Sequence, residues 1–118
     1  MYTETQVANI VAEAKTAAAT ATNTFINDVL KGQDAYACGF AWVNIYKFNG
    51  KTIRSNSKVG KALAACDVRK SDWEKSFRVW NPSGTMFQNI DCKEAGAQAA
   101  AKVFEKYGFT AYAGSRMD

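Results

Sequence analysis

Apolar residues recur at intervals of three and four along the first thirty positions, and this spacing predicts one long helix. Thr3 followed by Gln6 is a capping-box pattern at its start, and Gly32 is placed to end it in a left-handed conformation. The apolar stripe is rich in alanine, which permits close approach of another helix, either within the chain or in a second copy. Its members are Val7, Val11, Ala14, Ala18, Ala21 and Phe25.

Residues 36–47 change to an alternating pattern, which predicts a strand. Both sides of this strand are largely apolar, so we expect it to be central in its sheet. One side carries small residues that allow a helix to come close. The other side carries Phe40, Trp42, Asn44 and Tyr46, and this aromatic side needs either a second cover or a ligand.

The middle of the chain predicts a short helix and a hairpin. Ser57 can cap a helix over residues 58–66. Two strand-like runs, residues 75–80 and 85–90, flank the loop Asn81-Pro82-Ser83-Gly84. Its proline suits a type I turn and its glycine suits a positive φ, so we expect a hairpin there.

The last third predicts a second long helix and a final strand. Asp91 followed by Glu94 resembles an N-cap with an acidic third position, and apolar residues then follow one helical face over residues 92–107. Residues 109–113 are a plausible last strand, and a polar tail follows them.

This order of elements predicts an α+β fold with a long N-terminal helix, an antiparallel or mixed sheet of about four strands, a short central helix and an alanine-rich C-terminal helix. The chain has 118 residues, of which 47% are apolar and 22% charged, a composition typical of a folded domain. We expect a single domain over residues 1–118, with the long helix in 1–31 and an α+β body in 36–118.

Several classes of function are disfavoured by what the chain lacks. Its apolar stretches are shorter than the roughly 18 residues of a membrane span, and its N-terminus does not resemble a secretory signal, so we expect a cytoplasmic protein. The three cysteines form no close pair, and there is no histidine. We therefore expect packing roles for the cysteines, no metal, no cofactor and no catalytic residue, with a Cys92 nucleophile as a minor alternative.

The positive charge is concentrated in residues 47–70. That stretch holds seven lysines and arginines against one acid, a net +6, whereas residues 1–46 sum to −2 and residues 71–118 to zero. A focused positive field attracts phosphates or acidic protein surfaces. The candidate polyanion-binding residues are Lys51, Arg54, Lys58, Lys61, Arg69 and Lys70.

A second candidate set depends on whether the aromatic side of the first strand is open. An aromatic ring beside an amide or a guanidinium can hold a base or a small ligand. If a helix covers that side, the same residues belong to the core. These possible ligand-binding or stacking residues are Trp42, Asn44, Arg78, Trp80 and Arg116.

Four segments from Cys38 onward carry a family resemblance: Cys38-Gly39-Phe40-Ala41-Trp42-Val43, the loop Trp80-Asn81-Pro82-Ser83-Gly84, the helix start Asp91 with Lys93-Glu94-Ala95-Gly96-Ala97, and the C-terminal run from Ala111 to Asp118. In these segments the chain resembles small uncharacterised proteins encoded by tailed bacteriophages. The resemblance implies a viral origin, expression in the cytoplasm of an infected bacterium, and a partner that is a host factor or nucleic acid. It assigns no activity and no site residue.

Three functional hypotheses follow. The first is a non-enzymatic binding module whose basic surface contacts nucleic acid or another polyanion. The second is a protein-interaction module that binds an acidic host protein through the same surface or through the N-terminal helix, which can also support a homo-oligomer. The third is an enzyme with an unrecognised carboxylate or thiol site. None of the three involves a membrane.

Overall fold

The computed structural model describes residues 2–71 and 75–118, so Met1 and residues 72–74 lie outside the described residues. Within them the chain forms three helices and a five-stranded antiparallel sheet, which confirms the predicted α+β class with one strand more than expected. The elements are α1 Glu4–Asp28, β1 Gly39–Phe48, β2 Lys51–Thr52, α2 Lys58–Ala65, β3 Arg69–Ser71, β4 Ser76–Trp80, α3 Ile90–Lys106 and β5 Phe109–Met117.

The start of α1 follows the predicted capping box. The Thr3 hydroxyl accepts a hydrogen bond from the Gln6 backbone N–H at 3.1 Å, and the Gln6 side chain accepts one from the Thr3 N–H at 2.8 Å. The helix ends at Asp28, two residues earlier than expected. Gly32 has a φ of +80°, and its N–H bonds the Ile26 carbonyl, as expected for a left-handed helix end.

Strand β1 is central in the sheet, as its two apolar sides predict. It pairs with β4 along one edge and with β5 along the other, while β2 pairs with its last two residues and β3 lies outside β4. The strand begins at Gly39 rather than at Tyr36, whose φ of +69° is incompatible with an extended strand.

The predicted hairpin is wrong in its second half. Strand β4 exists, but residues 85–90 form no strand beside it. The backbone N–H groups of Gln88 and Asn89 donate instead to the Asp34 carboxylate, at 2.9–3.0 Å. A side chain more than fifty positions away therefore supplies the acceptors that a partner strand would have offered.

The predicted cap of the last helix is also wrong. The N-cap of α3 is Asn89, whose side-chain oxygen accepts from the Cys92 N–H at 2.8 Å, and Asp91 lies inside the first turn. Asn89 also donates to the Ala35 carbonyl at 2.8 Å. Asn89 thus caps α3 and also holds the loop before β1. This second contact explains why Asn89 is the N-cap, although the sequence pattern of Asp91 and Glu94 predicted Asp91.

Strand β5 is longer than predicted, since it continues through the polar tail as far as Met117. Its partner β1 is ten residues long and pairs with it throughout, apart from a bulge between Ile45 and Lys47. Strands β2 and β3 lie in the basic stretch, where no strand was expected.

All three described helices contribute to one core on a single side of the sheet. On that side β1 presents Ala41, Val43 and Ile45, which are at most 1% exposed. Gly39 makes room for the start of α3, because an added Cβ would lie 2.5 Å from Cδ1 of Ile90. The expectation that small residues let a helix approach this side is confirmed.

The alanine stripe of α1 packs against α3 within the chain. Ala14 and Ala18 are buried, and a Cβ added at Gly96 of α3 would meet the Thr22 hydroxyl at 2.4 Å. Of the two alternatives for this stripe, the intramolecular contact is present, so association of two copies through it would require that contact to open. None of the described helices has the length and apolar character needed to cross a membrane.

Candidate functional site

The side of the sheet opposite the helices is lined by aromatic and basic residues. Residues directly opposite one another in an antiparallel pair project to the same side. Trp42 pairs with Trp80 and Asn44 with Arg78 on β4, while Phe40 pairs with Arg116 on β5. We call this side the open face, since the core shared by the three described helices lies on the other side of the sheet, where β1 presents Ala41, Val43 and Ile45. Its members are Phe40, Trp42, Asn44, Tyr46, Ser76, Arg78, Trp80, Tyr112, Gly114 and Arg116.

Three rings form a continuous row across β1 and β4. Trp42 and Trp80 are stacked, with ring centroids 5.6 Å apart and planes 4° apart. Phe40 lies next to Trp80 at 5.5 Å. Trp80 remains 51% exposed, so the row presents a large aromatic surface to solvent.

Gly114 explains the position of Trp42. A Cβ added at Gly114 would lie 2.5 Å from Nε1 of Trp42 and 2.8 Å from Cε2, so the indole lies directly against the β5 backbone. The Trp42 Nε1 atom is buried and has no hydrogen-bond partner among the described residues. An unpartnered buried N–H costs free energy, and the contacts of the Trp42 ring with Trp80 and with the Gly114 backbone offset that cost.

Arg78 is held above Trp42 by its neighbours. Its guanidinium carbon lies 4.8 Å from the Trp42 ring centroid, a cation–π distance. Its Nε donates to the Asn44 side-chain oxygen at 3.2 Å, and the Ser76 hydroxyl donates to the same oxygen at 3.4 Å. Asn44 is only 8% exposed, so it positions the arginine and is not accessible as a ligand-binding amide.

Two cations lie near Phe40. The exposed Arg116 has its guanidinium carbon 5.7 Å from the ring centroid, and the Lys93 ammonium lies 5.5 Å from it. Lys93 is buried and donates to the Gly39 carbonyl at 2.9 Å. Arg116 is therefore the cation of this pair that a ligand in solvent can reach.

A second aromatic pair lies further along the same face. Tyr46 and Tyr112 have ring centroids 5.9 Å apart, and Tyr112 is 60% exposed. Beyond the bulge, Lys47 pairs with Thr110 and lies opposite in orientation to the core residue Phe109, so Lys47 extends the open face. Two exposed rings, Trp80 and Tyr112, thus flank the central strand.

The candidate residues from the basic stretch lie in different places. Arg69 pairs with Arg78 at the border of the open face, but it forms a 3.0 Å ion pair with Asp67. Lys70 is half-buried and donates to the Ile53 carbonyl at 3.4 Å. The exposed residues Lys51, Arg54, Lys58 and Lys61 lie around α2 and the loop before it, on the helical side of the molecule.

The open face therefore brings together Trp42, Asn44, Arg78, Trp80 and Arg116, the second set of sequence-based candidates. Tyr112 is an addition that sequence reasoning placed in the last strand but not at a site. The alternation of Thr110, Tyr112, Gly114 and Arg116 contained this information, but the predicted strand ended too early to use it.

A separate polar cluster joins α1 to the end of α3. The Glu13 carboxylate accepts hydrogen bonds from the Lys106 ammonium and, at 2.5 Å, from the Tyr107 hydroxyl. The bond from Lys106 is the main cause that lowers the pKa of Glu13, and the bonds to Glu13 raise the pKa of both Lys106 and Tyr107. These shifts are those of a contact between two helices, with each group stabilised in its ordinary charge state.

The cysteines differ sharply in accessibility. Cys38 is exposed, Cys66 is half-buried and Cys92 is completely buried. Burial raises the pKa of the Cys92 thiol, which opposes formation of the reactive thiolate. This environment favours the packing role expected for Cys92 over a nucleophilic one.

Comparison with known proteins found no match to the chain, whether among family models, curated proteins or solved structures.

Proposed function

We propose that this chain is a non-enzymatic binding module that holds single-stranded nucleic acid on the open face of its sheet. The observation that carries the proposal is the exposure of Trp80 and Tyr112 on a side of the sheet that none of the described helices covers. Unpaired bases stack on such rings, and the stacking tolerates sequence differences because every base has a π face.

The cations of the open face support the same partner. Arg116 near Phe40 and Lys47 beyond the bulge offer positive charge beside the rings, where phosphates of a bound strand would lie. Arg78 stacks on Trp42 and is bonded to Asn44, so it supports the row of rings on which bases would stack. A duplex keeps its bases paired and stacked, so it cannot use the exposed rings in this way.

The resemblance to tailed-phage proteins is consistent with this proposal, since it implies nucleic acid or a host factor as partner and a bacterial cytoplasm as location. It supports the class of partner only. The assignment of the open face comes from the geometry of the rings.

The direct test is fluorescence anisotropy of labelled oligothymidine and oligouridine with the native chain and with Trp80→Ala and Tyr112→Ala. One stacked base is worth about 1–3 kcal/mol, so each substitution should weaken binding by about 5- to 150-fold. Met86→Ala is the matched control, because Met86 is a large apolar residue that is 89% exposed in the loop between β4 and α3 and belongs to no strand.

Two results would contradict the proposal. One is native affinity in both ring variants, with circular dichroism showing that they are folded. The other is equal or tighter binding of a duplex of the same length, since that would place the contact on phosphates alone.

A further inference from the structure

A concave site lies on the helical side of the molecule, between the β1–β2 hairpin and the first turn of α2. It is a hollow of about 220 Å³. Its apolar wall consists of Phe48, Ile53 and Val59, of which Ile53 and Val59 are nearly buried. The exposed residues Lys51 and Lys58 stand at its mouth. We call this site the lysine hollow.

The lysine hollow is preformed by a tight connection between its loop and α2. The Ser57 hydroxyl donates to the Arg54 carbonyl at 2.6 Å and accepts from the Gly60 N–H at 3.0 Å. A Cβ added at Gly60 would lie 2.1 Å from the Arg54 carbonyl oxygen, so only glycine permits this approach. The loop is thereby fixed against the helix, and little ordering would be needed when a partner binds.

The charge around the lysine hollow calls for an anionic partner. The residues that line it include two lysines and no acid. Arg54 is exposed in the adjoining loop, and Lys61 is exposed one turn along α2. The N-terminus of α2, at Lys58, adds the partial positive charge of its unpaired N–H groups. The acid Glu4 lines a neighbouring hollow together with Lys58 and Lys61.

The size and the apolar wall narrow the chemistry further. A volume of about 220 Å³ lies below the roughly 300–1,000 Å³ of small-molecule pockets and suits a single large apolar side chain. A buried apolar anchor surrounded by a polar rim is the usual plan of a protein-docking site. A phosphate could pair with the lysines, but it would make no apolar contact with Phe48, Ile53 and Val59.

We propose that the lysine hollow docks an acidic segment of a partner protein, with one aromatic or large aliphatic side chain inserted between the hairpin and α2. Carboxylates on either side of that anchor would then pair with Lys51 and Lys58. The partner lies on the helical side, so the proposal does not depend on nucleic-acid binding at the open face.

The test uses a short labelled peptide of Asp, Glu and Ser with one central Phe, and a second peptide with Ala in place of that Phe. The Phe peptide should bind the native chain at low salt at least tenfold more tightly than the Ala peptide, because only the first fills the apolar wall. The double variant Lys51→Glu/Lys58→Glu should lose at least tenfold in affinity for the Phe peptide. Lys15→Glu/Lys102→Glu, with the same change in net charge at exposed helical positions, should retain it.

Chemical-shift mapping of the native chain with the Phe peptide should give changes at Phe48, Ile53 and Val59. Equal affinity for the two peptides, or equal losses in the two double variants, would reduce the interaction to general electrostatics and overturn the proposal. A third result would also overturn the proposal: Lys51→Glu/Lys58→Glu abolishes oligothymidine binding, whereas Trp80→Ala leaves it unchanged. The lysine hollow would then be a nucleic-acid site.

Discussion

At the scale of single residues, the open face depends on the missing side chain of Gly114. The Trp42 indole lies only 2.5–3.1 Å from the position that a Cβ at residue 114 would take, and Trp80 and Arg78 in turn pack on Trp42. The position of the exposed Trp80 ring on β4 therefore depends on the contact between Trp42 on β1 and the backbone of Gly114 on β5. The glycine matters here because of space, since its φ is not in the left-handed region.

Gly114→Ala tests this dependence. In a strand without a steric conflict, the change to alanine would stabilise the chain by up to about 1 kcal/mol. Here the overlap with Trp42 should reverse the sign and lower the free energy of unfolding by about 1–3 kcal/mol. Urea denaturation followed by tryptophan fluorescence measures it, with Ala113→Ser at the neighbouring exposed position as control. A Gly114→Ala variant as stable as the native chain would show that the indole can relocate without cost.

The thiols give a second prediction at this scale. Cys38 is exposed and should react rapidly with a thiol reagent at neutral pH. Cys92 is 0% exposed and its pKa is raised by burial, so it should react only as fast as the chain opens. Timed mass spectrometry resolves the two, and Cys38→Ser should remove the fast phase. Rapid modification of Cys92 in the folded chain would mean that the residues packed with it, Ile26, Leu30 and Phe87, separate from it locally.

Residue by residue, the sequence predicted which side chains could form the open face but not that the face is open. Both sides of β1 are apolar, and alternation alone does not say which side the helices will cover. The small residues Gly39 and Ala41 indicated that the helices would pack on the opposite side. The structure shows why, because Ile90 at the start of α3 comes so close to Gly39 that a Cβ would not fit. Asn44 was a candidate only if this side of the strand is open. The side is open, yet Asn44 is buried beside Arg78 and Ser76 from a strand more than thirty residues away, which alternation in β1 alone does not show.

At the scale of elements, the start of α3 is fixed by one buried side chain with two partners. Asn89 accepts from the Cys92 N–H and donates to the Ala35 carbonyl, and it is 1% exposed. Asn89→Ala should therefore cost about 1–3 kcal/mol, the sum of a lost cap and a lost hydrogen bond to the half-buried Ala35.

Asn89→Asp separates the two contributions, because it keeps the capping oxygen and loses the donor to Ala35. It should lie between the native chain and Asn89→Ala in thermal and urea unfolding. Asn23→Ala, at an exposed position of α1, is the control and should change stability by less than about 0.5 kcal/mol. Equal stabilities of Asn89→Ala and the control would mean that Asp91 takes over as the cap, as its sequence pattern suggested.

The contact of Glu13 with Lys106 and Tyr107 predicts a pH dependence. The pKa of Glu13 is lowered from its ordinary 4.5, so its stabilising effect is present above that value and is lost as the pH falls through the folded pKa. The raised pKa of Lys106 acts at the other end, where stability is lost as the pH rises through its folded value, above 10.5. Glu13→Gln should lower the urea midpoint at neutral pH and converge with the native chain in acid. A difference that stays constant from neutral pH to acid would rule out this titration, and Glu105→Gln is the exposed control.

The elements that sequence predicted well are those whose pattern is local. The capping box and the apolar stripe predicted α1. The N-cap residue Ser57 predicted the start of α2, and the alternation of side chains predicted β1. The failed hairpin and the early predicted end of β5 share another cause. Each depends on a partner distant in sequence, as when Asp34 takes the backbone donors of Gln88 and Asn89. Strands β2 and β3 pair with close neighbours, but they are only two and three residues long, too short for an alternating pattern to show.

At the scale of the whole molecule, the fold distributes the positive charge over two surfaces. Lys51, Arg54, Lys58 and Lys61 lie on the helical side around the lysine hollow, whereas Lys47, Arg78 and Arg116 lie on the open face. The chain of net charge +4 thus presents two basic surfaces of different character. One combines cations with exposed rings, and the other combines cations with an apolar hollow.

This division makes the salt dependence of nucleic-acid binding diagnostic. Each phosphate contact to a single strand contributes about 0.7 to the slope of log affinity against log salt, so the exposed cations Lys47 and Arg116 of the open face predict a slope of about −1.4. The six candidates of the basic stretch would instead give about −4. Anisotropy titrations of oligothymidine measure the slope, and Arg116→Gln should make it shallower by about 0.7. Two results together would contradict the open face as the binding surface. These are a slope near −4 for the native chain and loss of binding in the variant that combines Lys51→Glu, Arg54→Glu, Lys58→Glu and Lys61→Glu. Nucleic acid would then bind the basic stretch, mainly through phosphate contacts.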